Sequence, residues 1–322
     1  MTVSRAAACV LVAAIALAAR SAPSLPEADA LTFRDEPAGL LLRSAGRTLA
    51  RYVYRDPEIL RPYFCDVREP GGVQVTRTHP PVEGRDRTDH ASMHPGIWLG
   101  FGDLAGSDFW RNKGRVEHVR FTVPPGTAGR EGSFAVENRY RFPSGAILLR
   151  ENAGYRIRLR PDGYLLLVDS RFTASGEPVE FGDQEEMGLG VRVATPISVA
   201  QGGRILNSEG FKNEKGVWGK TAAWCDYSGM IDQRRVGVSI MSDPANFAPS
   251  WFHARDYGLL VANPFGRKAF TGGDERRVRV TSDPPLRLRF GVFVYGTDGR
   301  EADLAAAYRD YTDLLGAAPP AR

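Results

Sequence analysis

The sequence predicts an all-β protein, a large antiparallel β-sandwich with one C-terminal helix. Three observations carry that expectation. Apolar and polar residues alternate with period two in segment after segment. Pro161-Asp162-Gly163 separates two long alternating runs as a hairpin turn does. Only the end of the chain repeats with helical spacing.

In chain order, residues 1–30 come first. Arg5 precedes an unbroken apolar run from Ala6 to Ala19, and Ala-x-Ala sites follow at Ala16-Leu17-Ala18 and Ala28-Asp29-Ala30. This is the pattern of a secretory signal peptide, with an apolar part shorter than the roughly 20 residues a bilayer span needs. A secreted or periplasmic protein is expected. Strands are expected at 47–54, 73–78, 116–123, 134–142, 146–160, 164–174, 187–193, 236–241, 278–281 and 286–295, and Glu69-Pro70-Gly71-Gly72 reads as a further turn. A helix is expected at 300–315, with Leu304, Tyr308, Tyr311 and Leu315 on one face and Gly316 as its stop. Residues 31–316 read as one sandwich domain, because no linker or repeat divides them, and 317–322 as a loose tail.

Composition fits a folded enzyme, 43% hydrophobic and 25% charged, with a formal net charge of +4. The basic residues are scattered among acids and form no stripe, which argues against nucleic acid as a partner. Beyond the leader no run approaches about 18 apolar residues, so no membrane-spanning helix is expected. Cys65 and Cys225 could form one bridge in an oxidising compartment or stay unpaired in the core.

Four of the five histidines, His79, His90, His94 and His118, fall within residues 77–118 among aspartates and tryptophans. Prolines and glycines interrupt this stretch, so it reads as a long functional loop feeding a short strand. The four-residue spacing of His90 and His94 would put both on one face of a helical turn. The glutamate of a zinc-binding H-E-x-x-H pattern is missing, and Ala91 follows His90. These histidines could hydrogen-bond the loop, contact substrate, transfer protons or hold a metal.

Asp183-Gln184-Glu185-Glu186-Met187-Gly188-Leu189-Gly190-Val191-Arg192 supplies the leading carboxylate. Alternation puts Met187, Leu189 and Val191 in the core and groups Glu186, Gly188, Gly190 and Arg192 on the other face. Two glycines there would leave room for a ligand, though a solvent-facing Glu-Arg pair is the plainer reading. A third cluster contains His253, Arg255 and Tyr257 on one strand face, with Asn263 in the turn beyond. Donors beside aromatics suit a sugar, with Trp98, Trp110, Trp224 and Trp251 as candidate platforms.

The blocks R-P-Y-F-C-D-V, T-R-T-H-P-P, T-D-H-A-S-M-H-P-G-I-W-L-G-F-G-D-L-A-G-S-D-F-W, E-E-M-G-L-G-V-R-V-A and W-F-H-A-R-D-Y-G-L-L-V-A-N-P-F-G together resemble the DUF6807 family. That family is often labelled "methane oxygenase PmoA". A membrane monooxygenase subunit would need several apolar spans, which this sequence lacks. The resemblance implies a secreted β-rich protein of polysaccharide-degrading bacteria. Many members carry a second histidine beside the position of His94, where this chain has Met93 and Pro95.

The expected function is therefore a secreted carbohydrate-active enzyme, a glycoside hydrolase, lyase or epimerase, on a sandwich similar to the galactose-mutarotase supersandwich. Glu186 would be the base or nucleophile and His94 or His253 the proton donor. Arg77, His90, Trp98, Asp103, Arg192, Arg255, Tyr257 and Asn263 would contact a carbohydrate, with no cofactor or metal. Two other readings are a non-catalytic glycan-binding protein and a metal-dependent oxidoreductase needing His90, His94 and His253 to converge. Oligomeric state is not legible.

Overall fold

The computed structural model describes residues 30–317. The leader expected at residues 1–30 and the tail at 317–322 therefore lie almost entirely outside the described residues. Eighteen strands follow in chain order: β1 Leu31–Glu36, β2 Gly39–Ser44, β3 Arg47–Val53, β4 Tyr63–Cys65, β5 Ile97–Phe101, β6 Arg115–Ala128, β7 Glu131–Arg141, β8 Ile147–Arg160, β9 Gly163–Ala174, β10 Val179–Phe181, β11 Met187–Arg192, β12 Arg204–Asn207, β13 Trp224–Ile231, β14 Arg234–Ser242, β15 Trp251–Arg255, β16 Leu259–Asn263, β17 Val278–Val280 and β18 Leu286–Thr297. Short helices α1 (Asn213–Val217) and α2 (Arg267–Thr271) interrupt them, and α3 (Leu304–Gly316) ends the fold.

The strands form two eight-stranded sheets, ordered β1-β2-β3-β4-β5-β11-β16-β15 and β12-β13-β14-β18-β9-β8-β7-β6, with β10 and β17 as a separate pair. All strand pairings are antiparallel. The sheets are stacked, and aromatic rings meet between them: Phe64 and Tyr155 at 5.4 Å, Tyr52 and Phe134 at 5.1 Å, Phe101 and Phe172 at 5.6 Å. Burying such rings is the main drive for closing a sandwich. The all-β expectation holds.

Element by element, the Pro161-Asp162 turn joins β8 to β9 with Arg160 opposite Gly163, as expected. Helix α3 starts at Leu304, four residues later than expected, because the Asp303 side chain caps it by accepting from Ala306 N at 2.8 Å. It buries Leu304, Tyr311 and Leu314 on the outer face of the second sheet, against Leu165, Leu167, Phe293 and Tyr295. Residues 73–78 form no strand. They make only isolated bridges, Gln74 to Arg68 and Thr76 to Val193, where the chain crosses the end of β11. Cys65 and Cys225 are both buried and unpaired.

Strand β11 lies between β5 and β16, with Gly190 opposite Trp98 on one side and Val261 on the other. Its odd-numbered residues Met187, Leu189 and Val191 enter the inter-sheet core as the alternation predicted. The opposite face of this first sheet carries a separate cluster of Ile59, Tyr63, Cys65, Trp98, Trp110, Leu259 and Val261. The histidine-bearing loop closes over that cluster.

Candidate functional site

The loop is held by two buried arginines. Arg77, 1% exposed, donates to the carbonyl oxygens of Arg87 at 2.8 Å, Asp89 at 2.6 Å and His94 at 3.1 Å. Arg61 binds the carbonyls of Trp110 at 2.9 Å and of Met93. A guanidinium presents five donors in a rigid fork, which suits it to gathering several carbonyls at once. Within the loop His94 N donates to His90 O at 3.0 Å, so residues 90–94 make the helical turn that the spacing predicted.

That turn stacks the imidazoles. Tyr257 and His90 lie 6.1 Å apart at 16°, His90 and His94 4.9 Å apart at 22°, and His94 and Trp98 5.0 Å apart at 15°. Trp110 closes the inner end edge-on to Trp98, at 5.1 Å and 66°. The space expected for a ligand over the glycines is taken by these indoles. A β-carbon on Gly190 would sit 2.7 Å from the Trp98 ring and 3.1 Å from Trp110. Gly188 has a φ of +105°, and a β-carbon there would sit 2.1 Å from the Ala262 carbonyl oxygen.

Arg192 reaches beneath the stack. Its guanidinium donates to Asp89 Oδ1 at 2.7 Å, lies 4.5 Å from the Tyr257 ring centre and stands 3.5 Å from His94 Nδ1. An arginine only donates, so His94 accepts at Nδ1 and carries its proton on Nε2, which is buried without a partner among the described residues. Burial, reinforced by Arg192, His90 and Arg61, pushes the His94 pKa down to about 2. Burial opposes ionisation of Asp89, but the hydrogen bond and charge of Arg192, with His90 and Arg87, outweigh it and hold the carboxyl well below its usual range.

Beside the stack opens a cavity of about 440 Å³ lined by Arg111, Asp183, Gln184, Glu185, Glu186, His253, Arg255, Tyr257 and Ala269. Glu186 is in close contact with the Arg111 guanidinium. Burial raises the Glu186 pKa, Arg111 opposes the rise and Asp108 adds to it. His253 Nδ1 lies 3.3 Å from the Glu185 carbonyl oxygen, which fixes the proton on Nδ1 and leaves a lone pair on Nε2. Nε2 is 3.6 Å from the Glu185 carboxylate, which Arg255 holds at 3.1 Å, while Arg255 also binds Glu214 at 2.9 Å. Burial first and Arg255 second push the His253 pKa down to about 4. Both imidazoles are therefore neutral near neutral pH.

The residues expected from sequence thus separate into groups. Glu186, His253, Arg255 and Tyr257 share the cavity wall. His90, His94 and Arg192 adjoin it through Tyr257. Four expected ligand contacts are enclosed instead, with Arg192 buried beneath the stack as one of them. Trp98 is packed under the loop, Arg77 is engaged with carbonyls, and Asn263 donates to Gln184 O at 2.7 Å and Glu185 O at 3.1 Å while accepting from Phe265 N and Gly266 N. Asn263 instead shapes the segment that presents Glu185 and Glu186. Asp103 lies outside the cavity wall, where it pairs with Arg277 at 3.2 Å and accepts from Gly106 N. His79 meets Tyr63 edge-on at 5.3 Å and His118 packs on Tyr54 at 4.3 Å, both away from the cavity lining. Among the described residues no three His, Cys, Asp or Glu side chains form a group that could hold a metal ion, so His90, His94 and His253 do not converge.

Sequence reading missed Arg111 and Glu214, and within the block 183–192 it chose Glu186 and passed over Asp183 and Glu185. Arg111 follows the quoted tryptophan block by one residue, and only its contact with Glu186, 75 positions on, marks it.

The fold and site define a β-sandwich protein with a polar, carboxylate-bearing cavity on the outer face of one sheet. The chain belongs to the DUF6807 family, a family of unknown function, whose model matches residues 40–309. No curated protein matches it. Among solved structures it is similar to the GH36 alpha-galactosidase AgaB from Geobacillus stearothermophilus, with 13% identity and a TM-score of 0.42 over 83% of this chain and 41% of that one. It is also similar to a galactose mutarotase-like protein from Lactobacillus casei, with 8% identity and a TM-score of 0.38 over 82% of this chain and 100% of the other. The Slr1438 protein from Synechocystis matches with 12% identity and a TM-score of 0.30 over 84% and 97%. The chain spans less than half the length of the alpha-galactosidase it matches. No described helix is long and apolar enough to cross a membrane.

Proposed function

We propose that the chain is an exported carbohydrate-active enzyme, and that the cavity catalyses proton abstraction from a sugar in a lyase-type reaction. One observation carries this reading. Glu186 is a partly enclosed carboxylate with raised proton affinity, set beside a guanidinium in a cavity lined by further hydrogen-bonding groups. A base of raised pKa removes a proton more readily, and a neighbouring guanidinium stabilises the negative charge that develops on a carbonyl oxygen.

In this reading Glu186 takes the proton from the carbon next to a sugar carbonyl or carboxylate. The C–H electrons form a C=C bond, the glycosidic C–O bond breaks, and the departing oxygen is protonated by the Tyr257 hydroxyl, which burial keeps protonated. Arg111 and Arg255 face the developing enolate. His253 is neutral and its Nε2 is buried, so the proton-donor role expected of His94 or His253 passes to Tyr257. Elimination is favoured over hydrolysis because the two guanidinium groups on the cavity wall, Arg111 and Arg255, suit the negative charge of an enolate better than the positive, oxocarbenium-like transition state of glycoside hydrolysis.

The test is incubation with plant and algal glycans, uronate-containing polymers and 3-keto glycosides among them. Unsaturated products that disappear in Glu186→Gln support the proposal. New saturated reducing ends point to hydrolysis, and binding without turnover points to a glycan-binding protein.

A further inference from the structure

The turn that follows β12 holds a large aromatic side chain out to solvent. Phe211 is 45% exposed. Its position is not a matter of a loose loop, because the buried Asn207 side chain accepts from Glu209 N at 3.1 Å and Phe211 N at 2.9 Å, while Asn207 N donates to Phe211 O at 3.1 Å. A turn closed on itself in this way fixes the backbone from which the ring projects. Holding an apolar ring in water forgoes the roughly 25 cal/mol per Å² that burial would return.

The ring borders a depression of about 570 Å³, a size that suits one or two sugar rings. Polar groups on its other walls are held in place. Ser208 Oγ accepts from Ala223 N and donates to Glu209 Oε1, each at 3.0 Å, which fixes the carboxylate at the rim. Lys220 places its ammonium 6.0 Å from the Phe211 ring centre. Ser242 and Ser250 share a hydrogen bond of 2.8 Å at the depression, and Ala222 and Ala223 leave the floor shallow.

We propose that this depression is a second carbohydrate site that takes a hexopyranose unit of a neutral glycan. The C–H face of the ring lies on Phe211, with hydroxyls donated to Glu209 and accepted from Lys220. An aromatic platform flanked by one acceptor and one donor matches the two kinds of surface a pyranose presents. The site is separate from the cavity, yet tied to it. Gly219 N donates to Phe252 O and Phe252 N to Lys220 O, both at 3.0 Å, and Phe252 is the immediate neighbour of His253 on β15. Lys220, one wall of the depression, is thus bonded to the strand that also carries a cavity residue. This inference does not require the cavity to be catalytic.

Native affinity electrophoresis tests it, with soluble mixed-linkage β-glucan, xyloglucan, galactomannan and laminarin cast into the gels. At least one polymer should retard the protein. Phe211→Ala should weaken that retardation about tenfold, since losing a stacked ring costs on the order of 1.4 kcal/mol. Phe211→Trp should keep it and Lys220→Ala should reduce it, all with unchanged circular dichroism. Glu186→Gln should be retarded like the parent even if its turnover is gone, which separates the two sites. Failure of every polymer to retard the parent overturns the proposal. So does full retardation of Phe211→Ala, or a loss seen in Glu186→Gln but not in Phe211→Ala.

Discussion

The indole of Trp98 occupies the place of a side chain that Gly190 does not have. The two residues are directly paired across β5 and β11, and a β-carbon on Gly190 would come within 2.7 Å of the ring. Gly190→Ala should therefore push Trp98 against Trp110 and the loop above, costing about 1–3 kcal/mol as overpacking does. Urea denaturation would read this as a lower midpoint. An unchanged midpoint would mean that the indole stack has slack.

Glu186→Gln keeps the side chain's shape and removes its charge. With Arg111 43% exposed, loss of the ion pair should change stability by less than ~1 kcal/mol. Turnover on a substrate found in the glycan panel should fall by about two orders of magnitude or more. Activity like that of the parent would remove Glu186 from the chemistry.

Asp226 lies fully buried on β13, with both carboxylate oxygens 3.1 Å from the Tyr295 hydroxyl. Burial pushes its pKa up from 3.8 to about 7 against the stabilising bonds from Ser228 and Tyr295. A folded-state pKa above the unfolded one means that the folded protein holds the proton more tightly. The corresponding stability is fully present below about pH 3.9 and is lost as pH rises through about 7. Asp226→Asn should flatten that part of the profile, so its melting temperature relative to the parent should rise between pH 5 and pH 8. Parallel curves would show that Asp226 does not titrate there.

His253 has the opposite sign. A base whose folded pKa is depressed to about 4 contributes stability above its unfolded value near 6.5, lost as pH falls from there through about 4. His253→Gln should accordingly move acid unfolding to lower pH. Equilibrium unfolding followed by tryptophan fluorescence would show the shift, and an unmoved acid limb would count against a buried neutral imidazole.

Arg77→Lys replaces a fork by a single ammonium and cannot reach the Arg87, Asp89 and His94 carbonyls together. Stability should drop by roughly 2 kcal/mol as buried acceptors lose partners. The loop should also open to trypsin at Arg85 and Arg87, detectable as new fragments in a limited digest. Resistance equal to the parent's would show that Arg61 alone holds the loop.

The sheet frame was largely legible because most strands have one face in the core and the other turned outward, so their residues alternate. Where both faces are covered the pattern fails. Strand β2 reads Leu40-Leu41-Leu42 with all three buried, and β13 carries Asp226 and Ser228 at buried positions, so neither shows alternation. Residues 73–78 alternate without being a strand, since their composition says nothing about the missing neighbour. In the cavity, Glu186, His253, Arg255 and Tyr257 were legible through strand parity. The filling of the glycine face by indoles was not, because Trp98 and Gly190 meet only once β5 pairs with β11. The depressed proton affinities of His94 and His253 likewise arise from burial and neighbouring guanidinium groups, which no local pattern displays.

Arg61 and Arg77 grip main-chain oxygens that every residue type possesses. The course of the loop over the indole cluster accordingly depends little on which side chains it carries at Thr88 or Ser92. Descendants of this scaffold could exchange those residues, and with them the outer surface beside the cavity mouth, without first rebuilding the support beneath.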